Sequence, residues 1–148
     1  MSKEKSADLI MKLYDLRREG EMRKARNWFA TFFPETADDI MTAMINPETS
    51  AYYRMVTSYW DMAASFVNQG AIDEDMFLAS AGEGWIVFSK VQPFLSELRE
   101  KMATPQMLGN LDELIMRQPD ALTILESRRE MMKRLIAASS EFARAAGH

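Results

Sequence analysis

Apolar residues recur along this chain at intervals of three and four rather than two, the spacing that lays side chains along one face of an α-helix. Leu9, Leu13 and Leu16 make a first stripe; Met22, Ala25, Phe29 and Phe32 or Phe33 make a second. Gly20 between them reads as a bend, a break or a tolerated interior glycine. Pro34 closes the region, and Thr36 with Asp39 three residues on predicts a capped start for a short helix to about Ile45. Asn46-Pro47 reads as an N-cap followed by proline at the first helical position. A long helix is expected to follow, with Tyr52, Val56, Tyr59, Ala63 and Phe66 as its stripe. Tyr53, Trp60 and Val67 widen that face and predict burial on more than one side, and Gly70 supplies a left-handed end.

Asp73 is the next expected N-cap, with Ile72 and Phe77 placed to staple across it; Gly82 and Gly84 then interrupt the pattern. Trp85, Phe88, Val91, Leu95, Leu98 and Met102 restore a three-four alternation, which predicts a helix kinked near Pro93. Thr104-Pro105 repeats the cap-then-proline signal before Met107, Leu111 and Leu114 or Ile115. A final helix from about Asp120 to Ala145 carries Leu122, Leu125, Met132, Leu135 or Ile136 and Phe142, with Gly147 as its stop. With only four valines there is little to build strands from. The expectation is therefore an all-α domain over residues 1–148, a bundle of six to eight helices. Its expected core contains Leu13, Phe29, Tyr59, Phe66, Phe88, Leu95, Leu111 and Leu135.

Composition narrows the chemistry. At 148 residues the chain can bury a core without staples. The longest strongly apolar runs, such as Trp85-Ile86-Val87-Phe88, are far short of the roughly 20 residues that span a bilayer. No secretory signal is read at the start, where Lys12 and Asp15 interrupt any apolar run, and the expected address is the cytoplasm. The absence of cysteine removes disulfides, thiolate metal sites and a cysteine nucleophile. The only histidine is His148, so the Ser-His-Asp, H-E-x-x-H and Glu-x-x-His arrangements are removed as well.

Charge is unevenly placed. Residues 1–34 hold eight basic and five acidic groups, residues 35–85 one and nine, and residues 86–148 nine and eight. The acidic middle either faces the basic start within the fold, the favoured reading, or forms an exposed acidic surface for a basic partner, and many of its acids also stand where helix N-termini favour them. The basic clusters at Arg17–Arg26 and Arg128–Arg134 are interleaved with glutamates, so they read as solvated helix faces, and no nucleic-acid partner is expected.

Asp73-Glu74-Asp75 fails as a calcium loop, because Leu78 and Gly84 stand where glycine and glutamate are needed. Gly82-Glu83-Gly84 lacks the third glycine of a dinucleotide fingerprint, which Val87 replaces. Asp61, beside Trp60, and Glu97, between Leu95 and Leu98, are the acids closest to bulky apolar residues, but nothing pairs either with a nucleophile. No catalytic residue, cofactor or metal is assigned, and the chain does not read as an enzyme.

Methionine is over-used: 13 against 12 leucines. Such unbranched, adaptable side chains suit irregular cores and also surfaces that accept varied partners. The favoured reading is a helical protein-interaction or regulatory module that binds a protein partner or a second copy of itself. The alternative is a small-molecule pocket of aromatic and methionine residues between helices. The candidate residues for either are Met44, Tyr52, Tyr53, Met55, Trp60 and Trp85. An interaction face requires some of them to remain exposed, so that Trp60→Ala or Tyr53→Ala weakens association without unfolding the chain; a pocket requires them to converge inward.

One stretch carries a resemblance. Tyr59-Trp60 and Phe66 run into Gly70-Ala71-Ile72-Asp73, then Trp85, then Lys90-Val91-Gln92-Pro93 and a segment through Leu98-Arg99. Over residues 58–101 this resembles a family of uncharacterised bacterial all-helical domains with an aromatic helix, a Gly-x-Ile-Asp turn, a tryptophan and a Lys-x-x-Pro segment. Proteins similar to that family often carry membrane-spanning helices ahead of the domain, and none is read in this chain. The resemblance implies a helical fold and bacterial cytoplasmic exposure, and it names no substrate.

Overall fold

In the computed structural model, which describes residues 2–147 and so leaves His148 outside, the chain is all-α, with no strand among those residues. The segments are α1 (Lys3–Arg17), α2 (Gly20–Thr31), α3 (Ala37–Ile45), α4 (Ser50–Asn68), α5 (Glu74–Ser80), α6 (Gly82–Val91), α7 (Leu95–Lys101), α8 (Gly109–Met116) and α9 (Ala121–Ala146). A 3-10 turn, Gln92–Phe94, joins α6 to α7, so residues 82–101 form one helix kinked at Pro93 and the described residues reduce to eight helices.

Local chemistry sets most of the boundaries. Asp39 and Thr36 form a reciprocal capping box on α3, and the Asp73 carboxylate accepts from the Met76 amide at the start of α5 while Ile72 and Phe77 are buried across it. Gly70, at φ +83°, lets the Ala71 amide donate to the Phe66 carbonyl at 2.9 Å, which closes α4. Gly20 breaks rather than bends the first region, because Glu19 caps a new helix there by accepting from the Met22 amide. Two starts fall later than the sequence predicts. Asn46 accepts from the Glu48 amide in a turn, which delays α4 to Ser50. Thr104-Pro105 belongs to a loop, and α8 begins at Gly109 because its cap comes from elsewhere: Asp61 of α4 accepts from the Leu111 amide at 3.0 Å and from Asn110 Nδ2 at 3.1 Å. At the far end Gly147 is right-handed, at φ −77°.

α4 lies at the centre, packed against α2, α3, α5 and α8, while α6 packs on α9. Leu13, Phe29, Tyr59, Phe88, Leu95 and Leu111 are buried as expected, but Phe66 and Leu135 are 40% and 55% exposed. Phe66 is displaced to the outer edge of α4 because the inward face is taken by Trp60, Ala63, Ala64 and Val67. Leu135 lies beyond Met132, the last buried residue of α9.

The α4–α6 crossing depends on a missing side chain. A Cβ on Gly84 would stand 2.8 Å from Cε3 of the buried Trp60 ring. Gly84→Ala is therefore expected to cost about 1–3 kcal/mol by forcing these helices apart. A urea unfolding midpoint equal to that of the parent chain would show that the crossing has slack.

Candidate functional site

The six residues singled out in the sequence do not form a free surface. Tyr53 and Trp60 are 3% and 2% exposed and Trp85 is buried, while Met44, Tyr52 and Met55 are half-buried and packed against the core. The expectation of exposed aromatic anchors at Tyr53 and Trp60 is corrected accordingly. A central helix buries both flanks of a wide stripe, so its width reflects burial between α2 and α8 rather than a face held for a partner. Tyr52 and Tyr53 meet Trp28, Phe29 and Phe32 of the α2 region, with ring centroids 6.1–6.4 Å apart. Trp60 meets Tyr59 edge-on at 5.0 Å and Phe77 at 6.3 Å, and the Arg17 guanidinium lies 5.2 Å from its ring centroid. These residues converge inward, and the three aromatic ones of α4 pack against rings from outside the set.

Burial raises the hydroxyl pKa of both core tyrosines. The Tyr59 hydroxyl is pushed up to about 12 and donates to the Leu13 carbonyl at 2.6 Å. The Tyr53 hydroxyl is pushed up further and finds no hydrogen-bond partner among the described residues.

The most unusual charged group is Lys90, fully buried on α6. Its Nζ donates to the Phe29 carbonyl at 2.6 Å and the Ala30 carbonyl at 3.2 Å, at the C-terminal end of α2, and lies 5.3 Å from the Phe29 ring centroid. Helix ends leave their last carbonyls without intrahelical donors and carry a partial negative charge, so a buried ammonium is tolerated there. Burial, with Arg129 nearby, lowers its pKa to about 8, and Glu83 opposes that shift. Beside it lies a cavity of about 110 Å³ bordered by Arg26, Val56, Glu83, Val87 and Met132. That is well below the roughly 300 Å³ at which small-molecule pockets begin. Glu83 is held by Arg26, whose guanidinium donates to it at 3.0 Å.

Pro93 explains a second cation. Proline has no N–H to offer the carbonyl four residues back, Ser89, and Arg129 of α9 supplies the missing donor to the Ser89 and Lys90 carbonyls at 3.2 Å each. Its guanidinium also lies over the Phe33 and Phe94 rings. Arg99 holds the 102–108 loop by donating to the Met107 carbonyl at 2.8 Å and to Asp112. Of the acidic middle, only Glu83 pairs with the basic start among the described residues, through Arg26, while Asp38 and Glu74 pair with Lys101 and Arg117 of the last third; hydrogen bonds from Arg117 and Gln118 hold the Glu74 carboxyl below its ordinary range. Glu97 is exposed and pairs with Lys101, and Asp61 serves as the α8 cap. The polar residues of the motif segment are thus occupied within the fold: Asp73 caps α5, Lys90 caps α2 and Arg99 ties a loop.

Large apolar side chains are exposed on several elements, among them Met11 and Leu16 of α1 and Ile45 of α3, but α9 carries a continuous stripe of them. After Met132 the helix runs on for about four turns with its side chains exposed apart from the half-buried Ile136. Met131, Leu135, Ala138 and Phe142 follow one another at four, three and four residues on a single face, with Leu135 55% and Phe142 76% exposed. The sequence pattern drew Leu135 into the core because a stripe has the same period whether or not another element covers it.

The profile of the domain of unknown function DUF4760 matches residues 5–118. The chain belongs to this family. The DUF4760 match spans α1 to α8 and stops before α9, so Arg129, which completes the hydrogen bonding around Pro93, comes from outside the matched segment. No curated protein and no solved structure matches the chain. No helix among the described residues is long and apolar enough to cross a membrane.

Proposed function

We propose that the chain is a helical interaction module whose contact element is the projecting half of α9. The observation that carries this reading is the Met131–Leu135–Ala138–Phe142 stripe, exposed where α9 runs on beyond the elements that cover its first half among the described residues. Helices in water draw most of their stability from packing an apolar face, and a contiguous apolar strip on a soluble surface marks a contact site more often than an accident of composition. The contact face read from the sequence in residues 41–77, with Trp85 as a further candidate, moves in this reading to 131–142. No catalytic role is assigned, because the acids and cations inside the body are committed to caps and ion pairs.

The test is a double substitution, Leu135→Glu with Phe142→Glu. Neither side chain packs into the core, so the chain should stay folded with parental helicity while binding of any protein captured by the parent chain falls at least roughly tenfold, as expected for removal of exposed apolar anchors. Capture that survives the double substitution unchanged overturns the assignment.

A further inference from the structure

Resting on that reading of α9, we infer that its occupant is the same segment of a second copy, paired antiparallel. Met131, Leu135, Ala138, Phe142 and Ala145 keep the alternating four-three spacing of a coiled-coil seam. This run of residues is about 22 Å long at the helical rise of 1.5 Å per residue. Setting two such seams antiparallel, with Leu135 opposite Ala138 of the second copy, places Met131 opposite Phe142. Each layer then joins a larger side chain to a smaller or more flexible one, which is how knobs fit holes.

Charge selects this orientation. Arg134 and Glu141 lie on the same flank of the seam, one heptad apart. In the antiparallel register Arg134 of each copy faces Glu141 of the other, so two opposite-charge pairs form by symmetry. Parallel pairing in register places Arg128 against Arg128 and offers Arg134 only Ser139, so it gains no charge pair and adds a repulsion. Arg134 is free to exchange partners. Its present contact is Glu130 one turn back, at 3.1 Å between two exposed side chains, and exposed pairs of that kind hold weakly.

The test exchanges the charges and leaves the apolar seam intact. Sedimentation equilibrium of the full chain should show a monomer–dimer equilibrium. Arg134→Glu alone places acid against acid, Glu141→Arg alone places base against base, and each should raise the dimer dissociation constant at least roughly tenfold. An equimolar mixture of the two variants should recover dimer as a heterodimer, because every flank contact then joins opposite charges. That rescue is specific to the antiparallel register. Rescue failing in the mixture, or a parent chain that stays monomeric up to its solubility limit, overturns the inference, and so does a monomer that floats with anionic phospholipid vesicles. A monomeric parent chain whose captured partner is lost on Leu135→Glu with Phe142→Glu overturns self-pairing alone. A parental dimer indifferent to that double substitution overturns the α9 reading itself.

Discussion

Trp60→Ala is expected to lower the unfolding free energy by about 3–5 kcal/mol, the range for truncating a large buried aromatic residue. The indole is 2% exposed at the centre of α4, with Tyr59 and Phe77 edge-on to it, Arg17 above it and Gly84 of α6 against its face. Apart from Tyr59, these neighbours come from three other helices, α1, α5 and α6, each packed elsewhere as well, so they cannot all move in to fill the space, and cavities that cannot collapse are the costly ones. The buried Nε1 has no hydrogen-bond partner among the described residues, so truncation also removes an unsatisfied donor, and this offsets part of the loss. Urea unfolding of parent and variant measures the difference. A loss below about 1 kcal/mol, together with weakened self-association, would return Trp60 to the surface role its sequence context suggests.

Trp60 also shows where the sequence stops being legible. The periodicity of α4 identified a helix, and its width identified burial on two sides; both follow from local spacing. Which residues supply the two walls depends on how distant segments pack, and no local signal contains that. The same limit explains α8. Thr104-Pro105 has the chemistry of a helix start, yet the cap comes from Asp61, some fifty residues earlier, and a side chain that completes a remote helix has no fixed spacing to read. Lys90 was visible only as part of a Lys-x-x-Pro motif. Its role follows from the end of α2 meeting α6, and the role of Pro93 from the approach of Arg129 on α9. The projecting half of α9 was legible as a helix and illegible as a surface. Leu135 and Phe142 satisfy the same apolar period as Leu125 and Met132, and only the absence of a packed neighbour distinguishes them.

Lys90→Met is expected to cost about 1–3 kcal/mol at pH 7, and the cost should grow as the pH rises. Methionine keeps most of the aliphatic volume, so the change isolates the ammonium. The Phe29 carbonyl still accepts from the Phe32 amide, but the Ala30 carbonyl loses its donor and is left near the end of α2 without compensation. Against this, methionine relieves the desolvation of a buried charge, which holds the net loss to one unsatisfied acceptor rather than a broken ion pair. The pH dependence gives the signature. Lys90 titrates at about 8 in the fold and near 10.4 when unfolded. Between those values the unfolded chain binds the extra proton, so the parent gains stability with rising pH across that window. Below about pH 8 both states are protonated and the gain is absent. From pH 7 to pH 9.5 the difference between parent and Lys90→Met should widen by about 1–2 kcal/mol. Stopping below pH 10 avoids the window in which the raised tyrosine pKa values act in the opposite direction, since Tyr59 ionises in the unfolded chain first. The two chains differ only at residue 90, so Lys90 accounts for the divergence between them. Parallel stability curves from pH 7 to pH 9.5 would mean that the amine titrates as an exposed lysine does, and that the end of α2 is held by something other than this buried cap.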